Sequence, residues 1–233
     1  MEQLLFFIFL LGISAGSAED LSGKIFTFPT TSSSAFVKLK PNMEGDIQNV
    51  TVCLRYATDL SRGNSLFSLA TPTQFNAFLI FNLKPGIVRL HVGPTAYADI
   101  WVPQAKEVLP LWTHICATWE SSTGLGQLWI NGVGTVRRGI SKGFKLNEKI
   151  NILLGQDQDY FGGGFASDQS FVGQISDVHM WNYVLSPCDI VGVYNSFNFT
   201  PGNVLNWKEM QYELHGYVIL ESESKMHCQS GYA

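Results

Sequence analysis

Short runs that alternate apolar and polar residues dominate this chain. Val50-Thr51-Val52-Cys53-Leu54-Arg55-Tyr56 and Ile87-Val88-Arg89-Leu90-His91-Val92 both repeat with period two. Successive side chains of a strand point to opposite faces, so each run predicts a strand with one buried face. Phe78 to Phe81 and Ile150 to Leu154 are apolar runs of strand length. Gly, Pro, Asn and Ser separate the runs, as turns require. Leu128-Trp129-Ile130, Asn131-Gly132 and Val133 read as a hairpin, because Asn-Gly supplies the positive φ angles of a type I′ turn. One segment has helical spacing instead. Ser186 is a good N-cap, Pro187 suits the first helical position, and Asp189 completes a capping box. Ile190, Val193, Tyr194 and Phe197 then mark an apolar face. The expected architecture is all-β: two sheets packed as a sandwich, with one helix across a sheet face.

The N-terminus has a different character. Leu4 to Ile13 is an unbroken apolar run, followed by Ser14, Ala15, Gly16, Ser17 and Ala18. This is the pattern of a signal peptide over residues 1–18, cut after Ala18, although Met-Glu-Gln lacks the usual basic residue. The run is too short for a bilayer span of about 20 residues. The expected product is a secreted, extracellular protein. Residues 19–222 form its domain, and 223–233 form a tail that carries Cys228. Formal charge is −4, and the densest basic stretch, Arg137, Arg138, Lys142 and Lys145, is small, so charge indicates no nucleic-acid partner. The four cysteines, Cys53, Cys116, Cys188 and Cys228, would meet an oxidising compartment and allow three connectivities. They form no C-x-x-C pair, which argues against a zinc site. Asn49-Val50-Thr51 is a glycosylation sequon; Asn198-Phe199-Thr200 is a second, disfavoured by Pro201.

Catalytic patterns are weak. Gly139-Ile140-Ser141-Lys142-Gly143 matches G-x-S-x-G but lies between strands, where a nucleophile elbow has no helix to open. Asp157 and Asp159 are two residues apart and would face the same way, whereas a glycosidase flanks its substrate with two acids. A shared metal suits them better. Residues 155–164, GQDQDYFGGG, cluster oxygen donors in a glycine-rich loop, as calcium prefers. The spacing imitates an EF-hand, but Phe161 stands where an oxygen ligand belongs and the flanks are β. An ordinary acidic turn is the competing reading.

His114-Ile115-Cys116-Ala117-Thr118-Trp119-Glu120-Ser121 matches the pentraxin signature H-x-C-x-[ST]-W-x-[ST] throughout. Asp59 to Arg62, Ser65 to Ser68, Leu153 to Gln156 and Asn203 to Trp207 also resemble pentraxin segments. The resemblance implies a lectin-like jelly roll, assembled as a cyclic pentamer, with no enzymatic activity. One face would bind calcium ions and, through them, phosphorylated or carbohydrate ligands. The opposite face would carry the helix and engage complement or Fc receptors, in an innate-immune, acute-phase role. Carried over by residue, the calcium set is Asn76, Asp157, the Gln158 carbonyl, Asp159 and Gln169. Phe75 and Ala166 replace two family acids, which implies weaker calcium binding. A pentraxin whose eroded sites leave only calcium-independent protein contacts is the alternative. Phe81 matches the apolar ligand-binding residue that packs against choline methyls in one branch of the family. Ala96 aligns by spacing with the acid that pairs with the choline ammonium. Tyr194 matches a residue implicated in complement binding, while Asn131 replaces a usual aspartate. The resemblance also pairs Cys53 with Cys116. Cys188 and Cys228 are additional; they would pair with each other, or form intermolecular bonds.

Overall fold

The computed structural model describes residues 17–223, apart from Glu44, Pro94, 104–111 and Glu148. The described residues form fifteen strands: β1 (Lys24–Phe28), β2 (Phe36–Lys40), β3 (Asn49–Ala57), β4 (Asn64–Ala70), β5 (Phe78–Lys84), β6 (Ile87–Val92), β7 (Tyr97–Trp101), β8 (Thr113–Glu120), β9 (Leu125–Ile130), β10 (Val133–Gly134), β11 (Arg138–Gly139), β12 (Asn151–Leu154), β13 (Gly173–Trp181), β14 (Gln211–His215) and β15 (Ile219–Ser222). They make two antiparallel sheets. The first runs β10-β9-β8-β3-β13-β1-β15, with β11 also on β9; the second runs β14-β2-β12-β4-β5-β6-β7. This is the jelly-roll sandwich the sequence predicts.

Alternation decides which residues enter the sandwich core. Val50, Val52 and Leu54 of β3 and Ile115, Ala117 and Trp119 of β8 point inward. They meet Phe67 and Leu69 of β4, Phe78 and Ile80 of β5, and Ile152 and Leu154 of β12. The Asn131-Gly132 hairpin has the expected geometry: both residues take positive φ, 50° and 80°, and Val133 pairs with Ile130.

The helix α1 (Pro187–Tyr194) covers the outer face of the first sheet. Its capping box forms as predicted, with Ser186 accepting from the Asp189 N–H. Ile190 and Val193 pack with Cys53, Cys116, Trp181 and Leu185 in a second apolar layer. Arg55 of β3 donates to the Tyr194 carbonyl, setting a cation at the helix C-terminus. The helix stops sooner than its spacing predicts. Ser196 and Asn198 adopt left-handed φ angles of 54° and 42°, and Phe197 is turned out, 75 % exposed. Phe199 takes the inward place instead, edge-on to His179 at 5.2 Å.

Candidate functional site

Residues 155–170 lie against the outer face of the second sheet. Gln156 and Gln158, both fully buried, hold this segment down. The Gln156 amide donates to the carbonyls of Ser32 and Ala35, at 2.6 and 3.0 Å. The Gln158 amide donates to the Ser68 carbonyl and hydroxyl of β4, at 3.0 and 3.2 Å, and to the Asn151 carbonyl at 3.2 Å. Its oxygen accepts from Asn151 Nδ2 at 2.7 Å and from the Gly162 N–H at 3.0 Å. The Gln158 side chain is therefore committed to the fold, and a cation at this residue would have to use its backbone carbonyl. The tip is a tight turn in which Asp159 and Tyr160 both donate to the Gly163 carbonyl. Glycine is required there: a Cβ on Gly163 would lie 2.2 Å from the Tyr160 ring, and one on Gly164 2.5 Å from Asp159 Cβ.

Around this loop, polar oxygens are buried without partners. Asn76 Oδ1, Asp157 Oδ1 and Gln169 Oε1 are all inaccessible and accept no hydrogen bond. Such atoms are costly unless something positive sits against them. Asp157 is only 6 % exposed. Burial, and secondarily the Asp159 carboxylate, push its carboxyl up to about 6. Gln169 lies in a 3-10 turn, Ser167–Gln169, which Arg62 clamps by donating to the carbonyls of Asp168 and Ser170 at 3.0 and 2.7 Å. The expected donors, Asn76, Asp157, Asp159, Gln169 and the Gln158 carbonyl, would offer two carboxylates, two amide oxygens and a carbonyl, hard oxygen groups of the kind calcium takes. Phe75 is exposed and Ala166 half-buried, and neither side chain can ligate. Among the described residues, the one cluster of three His, Cys, Asp or Glu groups is Cys53, His114 and Cys116, and its two sulfurs are bonded to each other.

Beside the loop, β5, β6 and β7 carry a surface row. Phe81, only 8 % exposed, pairs with Arg89, which pairs with Asp99. Arg89 and Asp99 form two hydrogen bonds, of 2.6 and 2.9 Å, and the guanidinium lies 4.0 Å from the Tyr97 ring centre. Ala96, expected here by spacing, packs inward against the core. The neighbouring residue on the outer face is Tyr97, opposite His91. Sequence reasoning also missed Arg62, Asn151 and the side-chain role of Gln158.

On the other face, Cys53 and Cys116 stand directly opposite in β3 and β8 and are disulfide-bonded. Cys188 is exposed at the helix start; its suggested partner Cys228, like residues 1–16, lies outside the described residues. Asn49 is half-buried at the start of β3. Asn131 Oδ1 accepts from the His114 N–H at 2.9 Å, so that residue is structural. Ser141 donates to the Val92 carbonyl at 2.6 Å within its turn. Among the described residues, no helix is long and apolar enough to cross a membrane.

The Pentaxin family profile matches residues 24–222. Serum amyloid P-component from Sus scrofa is 41 % identical over 223 residues, covering 95 % of this chain and 98 % of that protein. C-reactive protein from Sus scrofa is also 41 % identical, over 96 % of this chain and 99 % of that protein. The crystal structure of a native heptameric SAP-like pentraxin from Limulus polyphemus superposes with a TM-score of 0.78, at 25 % identity, covering 89 % of this chain and 98 % of that one. The signature from His114 to Ser121, the sandwich with its helix and disulfide, and these end-to-end matches agree: the chain belongs to the pentraxin family.

Proposed function

We propose that this protein is a secreted pattern-recognition protein that binds phosphorylated or carbohydrate ligands through calcium, with no catalytic step. The observation that carries this reading is the set of unpartnered buried oxygens on Asn76, Asp157 and Gln169. A cation shared by these groups and the Asp159 carboxylate removes both the desolvation cost and the repulsion between the two acids. Calcium held in this way keeps positions for ligand oxygens, and Phe81 offers apolar contact beside them. Single sites of modest affinity gain avidity when a closed ring of copies presents several together. Complement or Fc receptors are the expected partners of the helix-bearing face.

Calcium titration by calorimetry tests the reading. Wild-type protein takes up at least one calcium, and phosphoethanolamine binds only when calcium is present. Asp159→Asn abolishes both, and Ala166→Glu tightens calcium. No heat at millimolar calcium would favour the second reading, a scaffold that works through calcium-independent protein contacts. Phe75 and Ala166, which remove two charged ligands from the family set, support that alternative.

A further inference from the structure

We infer that Asn198, in the turn after α1, carries an N-linked glycan, even though Pro201 disfavours its sequon; this rests on the secretion proposed above. The turn leaves the acceptor pair outside the fold. Phe197 donates its N–H to the Gly192 carbonyl at 3.0 Å, Phe199 packs into the layer under the helix, and Trp181 Nε1 donates to the Thr200 carbonyl at 3.1 Å. With those groups held, Asn198 and Thr200 are both exposed. Asn198 takes a φ of 42°, which asparagine tolerates better than most residues, so the turn alone explains an asparagine here. It does not explain Thr200. Among the described residues, neither the Asn198 side chain nor the Thr200 hydroxyl makes a hydrogen bond. A hydroxyl two residues after an exposed asparagine is what the glycan acceptor pattern requires, and a surface loop is where it is used.

The other sequon shows the contrast. Asn49 is half-buried in β3, opposite Glu120 of β8. Its Thr51 is fully buried, and the hydroxyl donates to the Tyr183 carbonyl at 2.8 Å and accepts from the Leu185 N–H at 3.0 Å. Thr51 therefore has a structural reason to be threonine, and folding withdraws this acceptor from a transferase. Pro201 acts on rate, because it steers Thr200 toward extended backbone. Exposure acts on time. Asn198 stays open after the sheets close, so a slow transfer can still complete. The step balances without an oxidant or reductant. The Asn198 amide nitrogen attacks the sugar C1 of a lipid-pyrophosphate-linked oligosaccharide, the C1–O bond breaks, lipid pyrophosphate leaves, and the amide proton passes to solvent. The glycan would stand past the C-terminal end of α1, on the outer face of the first sheet, and leave the proposed calcium loop on the second sheet uncovered.

Expression of the full chain in cultured animal cells tests the site. Peptide N-glycosidase in heavy-oxygen water turns each occupied asparagine into a labelled aspartate, which peptide mass mapping then locates. Label at Asn198 is expected in protein from the medium. Thr200→Ala should remove it and Thr200→Ser should keep it, since both variants leave Asn198 and its turn in place. Protein in the medium without label at Asn198 overturns the site and leaves the secretion reading standing. Label that appears only in Pro201→Ala does the same, because the proline then blocks transfer outright. Label that persists in Thr200→Ala is deamidation and also overturns the site. Protein found only inside the cells, unlabelled at both Asn49 and Asn198, overturns the glycan and the secretion reading together.

Discussion

At the scale of single residues, the loop proposed to bind calcium depends on groups outside the proposed ligand atoms. Gln158 joins the loop to β4 and to Asn151 of β12 through every polar atom of its side chain. Truncating it strands several buried partners, each costing about 1–3 kcal/mol when left unpaired. Gln158→Ala should therefore destabilise the calcium-free protein by about 2–4 kcal/mol, read as a lower urea midpoint. Gly164 acts more locally. Its φ of 81° and the Asp159 Cβ against it leave no room for a methyl group. Gly164→Ala should weaken calcium binding by moving Asp159 while shifting the urea midpoint far less than Gln158→Ala. Calorimetry and denaturation on the two variants separate anchoring the loop from shaping its tip.

At the scale of elements, the layer under the helix is the sensitive one. The Cys53–Cys116 bond closes a sequence separation of 63 residues between adjacent strands. The chain-entropy relation gives such a loop roughly 4 kcal/mol. Replacing both cysteines by alanine should cost that order of stability and loosen the helix first, because Ile190 and Val193 rest on this layer. Two histidines beside it add a pH response. Burial holds the imidazoles of His114 and His179 down to about 3 and about 4, from their ordinary 6.5. Unfolding lets both take up protons, so stability is complete above pH 6.5 and falls as pH drops toward 4. In calcium-free protein Asp157, raised to about 6, and Asp177, raised by burial, work the other way by holding a proton when folded, while His91, held down to about 4, adds to the side of the two histidines. The expected net loss from pH 7 to pH 5 is on the order of 2 kcal/mol, with proton uptake on unfolding at pH 5. Urea midpoints at the two pH values check the sign.

At the scale of the whole molecule, the two sheets divide the labour. The first carries the helix and disulfide on its outer face; the second carries the proposed calcium loop and the β5–β7 row. Both sheets also end in edge strands with exposed apolar groups. Val133 lies in β10 and Val136 just after it, and Leu214, Tyr217 and Ile219 lie on or between β14 and β15. Unpaired edges of this kind are usually covered. Joining one edge of a copy to a different edge of the next is a heterologous contact, which closes into a ring when the rotation permits. Light scattering should give the mass of a closed oligomer of five protomers, with or without calcium. A monomer would remove the avidity on which the proposed function depends.

Much of this protein was legible residue by residue. Period two in Val50 to Tyr56, the Asn131-Gly132 turn and the Ser186 capping box are local signals, set by backbone sterics and short-range hydrogen bonds. They survive folding because packing agrees with them. The calcium candidates were legible as residue types, through the spacing of Asp157 and Asp159 and the likeness to a known family. Other features had no local signal. Ser196 ended the helix two residues after Tyr194, and Phe199 replaced Phe197 against His179. Ala96 turned inward, and Tyr97 came to lie beside Arg89. Arg62 and Gln158 took their roles from partners 106 and 90 residues away in sequence. Local chemistry along the chain decides where strands, turns and caps occur. Which polar oxygens end up buried without partners, and which aromatic rings stay exposed, depends on contacts that exist only once the two sheets have closed.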